Sequence, residues 1–406
     1  MTISRNLALI YSTRLVEKLK AALRKRPRGE SRTQPPVEDI RTFCTGTPSK
    51  RALLSLSPSA WRTAQAQSPS IQFFNLAGFT HEVTKSLNEK GCSVDIVDAG
   101  ARNFEPLKHY DFYLGHAGNT RSIIERLHPG TFVMQFASGS YWKEFNRMSQ
   151  ERYDNFCRRK GLPPVRDFVR SLSGTEDGEE FLARRADASF NAGPRTVATF
   201  AGVSRNMPLL YLGSYVQKDL LVNDRDFEAG RRNFIYVAGT GGNIQKGMDL
   251  LLEAFARMPE LNLYIYCKVE DEVSKACQRE LALPNIHYVY HYSRSFLRRR
   301  MRDLLKRINF TVGAAINTGP TTAMLGSLGL GLIPVGYIDI EAEDSNSVLV
   351  DSFEIETLMV AARTASEKSA EWCRRASRET LERFQRLHEP AQFGRNFKAY
   401  LDRLGL

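Results

Sequence analysis

Short apolar runs alternate with stretches whose apolar positions recur every three or four residues, and the alternation comes in two series. The first starts at Ile71. IQFFNLAG reads as a buried strand and its loop, and THEVTKSLNEKG as a helix capped by Thr80 and ended by Gly91. CSVDIVDAG, YDFYLGH and TFVMQFASG read as strands, with ADASFNAG and PLLYLGSY as later strands of the same sheet. The second series begins near Arg231. There NFIYVAG, LNLYIYCK, NIHYVYHY, NFTVGAA and LIPVGYI read as strands, and GMDLLLEAFARMP, FLRRRMRDLLKR and TTAMLGSLGLG as helices. Parallel neighbours need a crossover, so this alternation predicts mainly parallel sheets with helices on both faces. Two series predict an α/β protein of two Rossmann-like domains.

The ends of the chain differ. Residues 1–33 read as a basic amphipathic helix, with Leu9, Val16, Leu19 and Leu23 near helical spacing and cations between them. Residues 26–70 turn to Pro, Ser, Arg and Gln, including Pro35-Pro36, and read as a linker. QFGRNFKAYLDRLGL reads as a terminal helix with Phe393, Phe397 and Leu401 on one side. At 406 residues two domains are expected. The expected division is 1–69 for helix and linker, 70–228 and 229–389 for the two α/β domains, and 390–406 for the last helix.

Composition changes this picture little: 42% hydrophobic and 25% charged residues suit a soluble globular chain. No apolar run reaches the roughly 18–20 residues of a membrane span. Arg14, Glu17, Lys18 and Lys20 follow the first apolar stretch closely, with no small-residue cleavage site, so a cytoplasmic location is expected. Cys44, Cys92, Cys157, Cys267, Cys277 and Cys373 form no Cys-x-x-Cys pair and read as reduced thiols. No metal cluster is evident. The net charge of +12 fits nucleic acid, an anionic membrane surface or a phosphate-bearing small substrate. No nucleic-acid motif is present, so nucleic acid is not expected. Arg24, Lys25, Arg26 and Arg28 suit either a solvated helix face or peripheral contact with anionic lipid.

The stretch richest in chemistry is NFIYVAGTGGNIQKGMDLLLEAFA, residues 233–256. A strand ends at Ala238, Gly239, Gly241 and Gly242 follow, and a helix opens near Gly247. Glycines let the backbone turn sharply and approach a ligand, and a helix N-terminus with Lys246 beside it suits phosphate. A tight turn without a ligand would look the same. No GxxxxGK[ST] pattern is present, and no GxGxxG opens a first strand, so neither a P-loop nor a nicotinamide site is expected.

A glycine after the strand, a Lys-Gly pair and the aliphatic helix DLLLEAF resemble the donor-domain loop of GT-B glycosyltransferases, more narrowly family 4, or group 1. The resemblance spans about residues 70–406 and implies two Rossmann-like domains whose parallel sheets face a cleft. It also implies transfer of a sugar from a nucleotide diphosphate sugar to a hydroxyl acceptor, a saccharide or lipid-linked glycan, with retention. It implies no bound metal and no cofactor beyond the nucleotide sugar as co-substrate. The family's diphosphate-binding lysine falls on Lys246, while its usual arginine falls on Thr240. In INFTVGAAINTGPTTAMLGSLGLGLIPV, residues 308–335, the frame is similar again, with Gly319, Leu325, Gly331, Pro334 and Val335 in place. Both family glutamates are replaced, by Thr318 and Gly326. The resemblance thus assigns the donor to Gly239, Thr240, Gly241, Gly242, Lys246, Gly319 and Thr322, and the sugar-facing position to Thr318.

On the first domain the resemblance points to Gly78, after Asn75, Leu76 and Ala77, and to His81. It points as well to FASGSYWKEFN, where Ser138, Gly139, Ser140 and Trp142 resemble a TGSHW-type segment with Tyr141 in place of histidine. Carboxyl ends of parallel strands face the ligand crevice, which adds His116 as a group to orient a hydroxyl. Asp339, Glu341, Glu343 and Asp344 read as a solvated acidic loop. The replaced glutamates leave a second reading open: a catalytically degenerate GT-B protein that binds a saccharide or a partner.

Overall fold

The computed structural model describes residues 34–406 apart from 66–76, 102–103, 117–118, 164–175, 205–206, 215, 217, 240, 291–297 and 317–320. The helix expected over 1–33 and the strand expected from Ile71 lie outside the described residues. Among the described residues two six-stranded sheets form the frame. The first holds β1 (Val37–Ile40), β2 (Lys50–Ser55), β3 (Cys92–Val97), β4 (Phe112–Gly115), β5 (Phe132–Ala137) and β6 (Ala188–Asn191), in the order β1-β3-β2-β4-β5-β6. Only β1 runs antiparallel, at the edge beside β3. The second holds β7 (Asn233–Val237), β8 (Asn262–Tyr266), β9 (Ile286–Tyr288), β10 (Phe310–Ala314), β11 (Ile333–Tyr337) and β12 (Val348–Leu349). Its strands are all parallel, in the order β12-β11-β10-β7-β8-β9. Every residue of β3, β4 and β10 is buried, as expected of strands covered on both faces.

The helices that position the site are α1 (Ala77–Glu89), α2 (Trp142–Lys160), α3 (Met248–Ala256), α4 (Thr322–Leu328), α5 (Ala370–His388) and α6 (Pro390–Arg403). In the first core Phe79 of α1 stacks on Phe136 at 4.4 Å and meets Phe393 of α6 at 5.2 Å. Tyr400 of α6 donates to the Ser189 carbonyl at 3.0 Å, so the last helix belongs to the first domain's core. In the second core Phe234 stacks on Phe310 at 4.8 Å.

Three expectations change. The linker expected over 26–70 contains β1, β2 and a helix at Pro58–Gln65, so the first sheet begins well before residue 70. Ala52, Leu53 and Leu54 of β2 are fully buried between β3 and β4, and that burial outweighs the polar flanks. The helix expected to be capped by Thr80 starts at Ala77, which places Thr80 inside it. In PLLYLGSY the described residues 208–214 form no strand: Leu209 makes one bridge to Asn191, and Leu210 and Leu212 bury their side chains as the chain leaves the domain.

Strand order fixes where a ligand can sit. Successive strands leave β2 on one side through β3 and on the other through β4; β7 is likewise flanked by β8 and β10. Ligands bind outside the carboxyl ends of strands at such reversals. The candidate crevices therefore lie beyond β2 and β4 in one sheet and beyond β7 and β10 in the other. α2, which follows β5, joins the two domains: it sends Phe156 and Cys157 into the second domain's core and Arg152 to the loop after β7.

Candidate active site at the carboxyl edges of the two sheets

The loop after β7 is built on left-handed glycines, with φ +86° at Gly241, +69° at Gly242 and +78° at Gly247. The backbone N–H groups of Gly242 and Asn243 both donate to the Glu270 carboxylate, each at 2.9 Å. Asn243 returns the contact by accepting the Glu270 N–H at 2.7 Å, so the loop is clasped to the segment after β8. Lys246 turns inward and donates to the Gly241 carbonyl at 2.6 Å. Burial lowers its pKa, while Cys267 and Glu270 act in the opposite direction. Among the described residues no carboxylate pairs with this ammonium, and an anion arriving there would gain a desolvated charge.

Gly247 ties this loop to the second strand of the crevice. A Cβ there would stand 2.3 Å from the Ala314 carbonyl oxygen at the end of β10. Gly247→Ala should therefore unfold at lower urea concentration than the parent. The left-handed backbone alone costs about 1–2 kcal/mol in a non-glycine residue, before the overlap is counted.

On the first sheet, His116 follows β4 directly. Its Nδ1 lies 3.1 Å from the Phe136 carbonyl oxygen and so carries the proton, which leaves Nε2 as an acceptor. Nε2 faces Ser138 Oγ at 3.3 Å. The structure thus brings together His116 and Ser138, two residues from different strand ends. Gly139 lends its carbonyl to Asn191 at 3.1 Å. Tyr141 is buried against Phe200, and burial together with Glu180 pushes its phenol up to about 12. Trp142 donates its ring N–H to Glu180 at 3.3 Å and its backbone N–H to Glu179 at 3.2 Å. His81 stands apart from this pair, with its ring 5.1 Å from Phe43 and 6.2 Å from Trp61. Gly78 is buried in the first turn of α1.

No family model matches the chain, and no curated protein sequence matches it. Solved structures do. Sucrose-phosphate synthase from Thermosynechococcus elongatus superposes with a TM-score of 0.60 at 12% identity, over 87% of this chain and 98% of that one. HepE of Anabaena, solved in complex with UDP and glucose, gives 0.52 at 12% identity, over 87% and 99%. TarM gives 0.51 at 10% identity over 72% of this chain and 54% of its own, so the chain spans about half of TarM. The chain has the GT-B fold.

In GT-B terms the loop after β7 belongs to the second Rossmann-like domain and the His116–Ser138 pair to the first. Of the residues assigned to the donor, Gly239, Gly241, Gly242 and Lys246 stand on that loop. Thr240, Thr318 and Gly319 lie outside the described residues, and of Thr322 only the backbone placement in α4 is described. The residue that caps α4 is Thr321, whose hydroxyl accepts the Met324 N–H.

Asp339 corrects the reading of a solvated acidic loop: it is only 7% exposed, while Glu341 and Glu343 are exposed and pair with Arg383. Asp339 lies two residues beyond the end of β11 and receives the Arg195 N–H, at the start of a short helix in the first domain. Sequence reasoning missed Glu270, Arg195 and Arg152, each of which joins separate segments at the crevice. Asn243, in the glycine-rich loop itself, was the one signal that could have pointed to a clasp. Among the described residues no helix is long and apolar enough to cross a membrane.

Proposed function

We propose that this protein transfers a glycosyl group from a nucleotide diphosphate sugar to a hydroxyl acceptor. The observation that carries the reading is the inward-turned Lys246 on a glycine-rich loop, at the point where a GT-B fold reverses its strand order. HepE, which shares the fold, was solved with UDP and glucose, and a uridine nucleotide is the first donor to try. In the proposed reaction the sugar C1–O bond to the diphosphate breaks, the acceptor oxygen bonds to C1, and the nucleoside diphosphate leaves. With retention, a phosphate oxygen of the donor accepts the acceptor's proton, so a strong protein base is not required. His116, fixed as an Nδ1–H tautomer, turns Nε2 to Ser138 Oγ, and this pair stands at the carboxyl edge of the first sheet, where the acceptor hydroxyl would bind. A saccharide or lipid-linked glycan is the proposed acceptor.

One observation favours a second reading. The N–H groups of Gly242 and Asn243, which in a phosphate loop would face the ligand, already serve Glu270. Together with Thr318 and Gly326 in place of acids, this suits a degenerate GT-B protein that binds without turnover. Calorimetric titration with UDP, GDP and their common sugars separates the two. Lys246→Ala should weaken nucleotide binding by about 10-fold or more, as expected for loss of a charge-assisted contact. Nucleotide-sugar binding with hydrolysis or transfer supports the enzyme; absence of binding to any of them supports the degenerate protein.

A further inference from the structure

Asp339 has one oxygen in use and one idle. Its Oδ1 accepts the Arg195 N–H at 2.8 Å. Its Oδ2 is buried and has no hydrogen-bond partner among the described residues. A buried acceptor left in this state is costly, and such groups in folded proteins are normally matched. Thr196, next along the same short helix, is a further donor beside this carboxylate, but its hydroxyl is shared between Asn191 at 2.7 Å and the Gly193 carbonyl at 2.9 Å. The Asp339 side chain lines a cavity of about 30 Å³, together with Lys246, Thr321, Met324 and Tyr337. That is room for a single water or a single hydroxyl.

The position of this cavity gives it a chemical meaning. Ala314 pairs with Tyr337 in the parallel register of β10 and β11, so Asp339 stands level with Ile316, just beyond the sheet's carboxyl edge. The cavity is lined by the carboxyl ends of β7, β10 and β11, with Lys246 from the loop after β7. A carboxylate and an ammonium thus border one space and do not pair with each other. They sort a ligand by its parts: the ammonium takes an anion, and the carboxylate repels an anion and accepts from an O–H. Burial raises the pKa of Asp339, while Arg195 and Thr196 pull it down. Arg195 also lays its guanidinium over the Tyr337 ring at 4.4 Å, which holds the first domain against this wall of the cavity.

We propose that Asp339 Oδ2 accepts a hydroxyl of the donor's sugar, which makes Asp339 a sugar-selecting residue of the donor site. This rests on the donor-site reading above. The sugar would then be held at the junction of the two domains, since the other oxygen of the same carboxylate caps a helix of the first domain.

The test is calorimetry of the full chain, the parent beside Asp339→Asn, with UDP, GDP, UDP-glucose, UDP-N-acetylglucosamine and GDP-mannose. Asparagine keeps a carbonyl oxygen for the Arg195 N–H, and retained nucleotide binding reports an intact second domain. The expected result is nucleotide affinity within about twofold of the parent and nucleotide-sugar affinity lower by about 10-fold or more, the size of a lost hydrogen bond to a charged group. Equal losses for nucleotide and nucleotide sugar would overturn the proposal, as would no loss for either. So would a parent protein that binds nucleotide and nucleotide sugar equally well. A parent that binds none of the five ligands overturns the donor-site reading itself, an outcome distinct from the other three.

Discussion

Asp249→Leu is expected to destabilise the protein by about 3–5 kcal/mol, the range found when one partner of a buried ion pair is removed. Asp249 is fully buried in the first turn of α3, and Arg152 of α2 is 2% exposed beside it. The guanidinium donates to Asp249 at 2.7 Å and to the Ile244 carbonyl at 3.0 Å. Burial works against both charges, raising the pKa of Asp249 and lowering that of Arg152, so each depends on the other to remain ionised. Arg159 also binds Asp249 and, with Lys160, reaches Glu253. The two single variants should therefore differ. Arg152→Met leaves Asp249 with Arg159 and should cost less. Asp249→Leu leaves Arg152 buried with one backbone carbonyl and a like charge nearby. The double variant should recover much of the loss, because it removes the stranded cation. Urea unfolding of the three variants beside the parent measures this order. Equal losses in all three would mean that packing, not charge, holds α2 to the second domain. The same contact supports the site: Arg152 holds Ile244, two residues before Lys246, so Asp249→Leu should also weaken nucleotide binding.

The frame was legible in the sequence where burial was two-sided. β3 to β7, β10 and β11 are short runs that bury nearly every side chain, and such runs announce themselves without alternation, while β8 and β9 are only partly buried. β2 was hidden because its first two residues, Lys50 and Arg51, are exposed and its neighbours on both sides look like linker. α2 gave a different difficulty. It is polar for most of its length, and nothing in RYDNFCRRK distinguishes the buried Arg152 from the exposed Arg158. Only the distant Asp249, contributed by another domain, makes that difference. Asp339 was misread for the same reason: its neighbours Glu341 and Glu343 are solvated, and its burial comes from Arg195, 144 residues away in sequence. The glycine-rich loop was readable because its constraint is local, three left-handed glycines and one lysine. What was not readable is that Glu270 fills part of its N–H array.

The parent protein should lose about 2 kcal/mol of stability between pH 7 and pH 5 that a His388→Asn variant does not lose. His388 ends α5 and is 4% exposed. Its Nδ1 lies 3.1 Å from the Leu212 carbonyl oxygen, and its own carbonyl accepts the Ser214 N–H at 2.8 Å. Burial is the main force on the imidazole and lowers its pKa from 6.5 to about 4. Arg383 acts in the same direction, and the Leu212 carbonyl opposes them. The sign follows. Below its ordinary pKa the histidine of the unfolded chain takes up a proton, while that of the folded chain does not until about pH 4. Stability is complete above pH 6.5 and falls as pH falls through this window, with a total of about 3 kcal/mol at stake. Asparagine keeps an N–H for the Leu212 carbonyl and has nothing to titrate in this range, so the difference between parent and variant isolates the histidine from the other acids. Urea midpoints at the two pH values measure it, and parallel losses in both proteins would place the acid sensitivity elsewhere. The effect has a location as well as a size. The chain leaves the first domain through 212–214 and returns through 388–390, and these crossings touch: a Cβ on Gly213 would stand 2.5 Å from the Cα of Pro390. His388 joins the two passages, with its ring on the Leu212 carbonyl and its own carbonyl on the Ser214 N–H, so its protonation acts where the chain crosses between the domains.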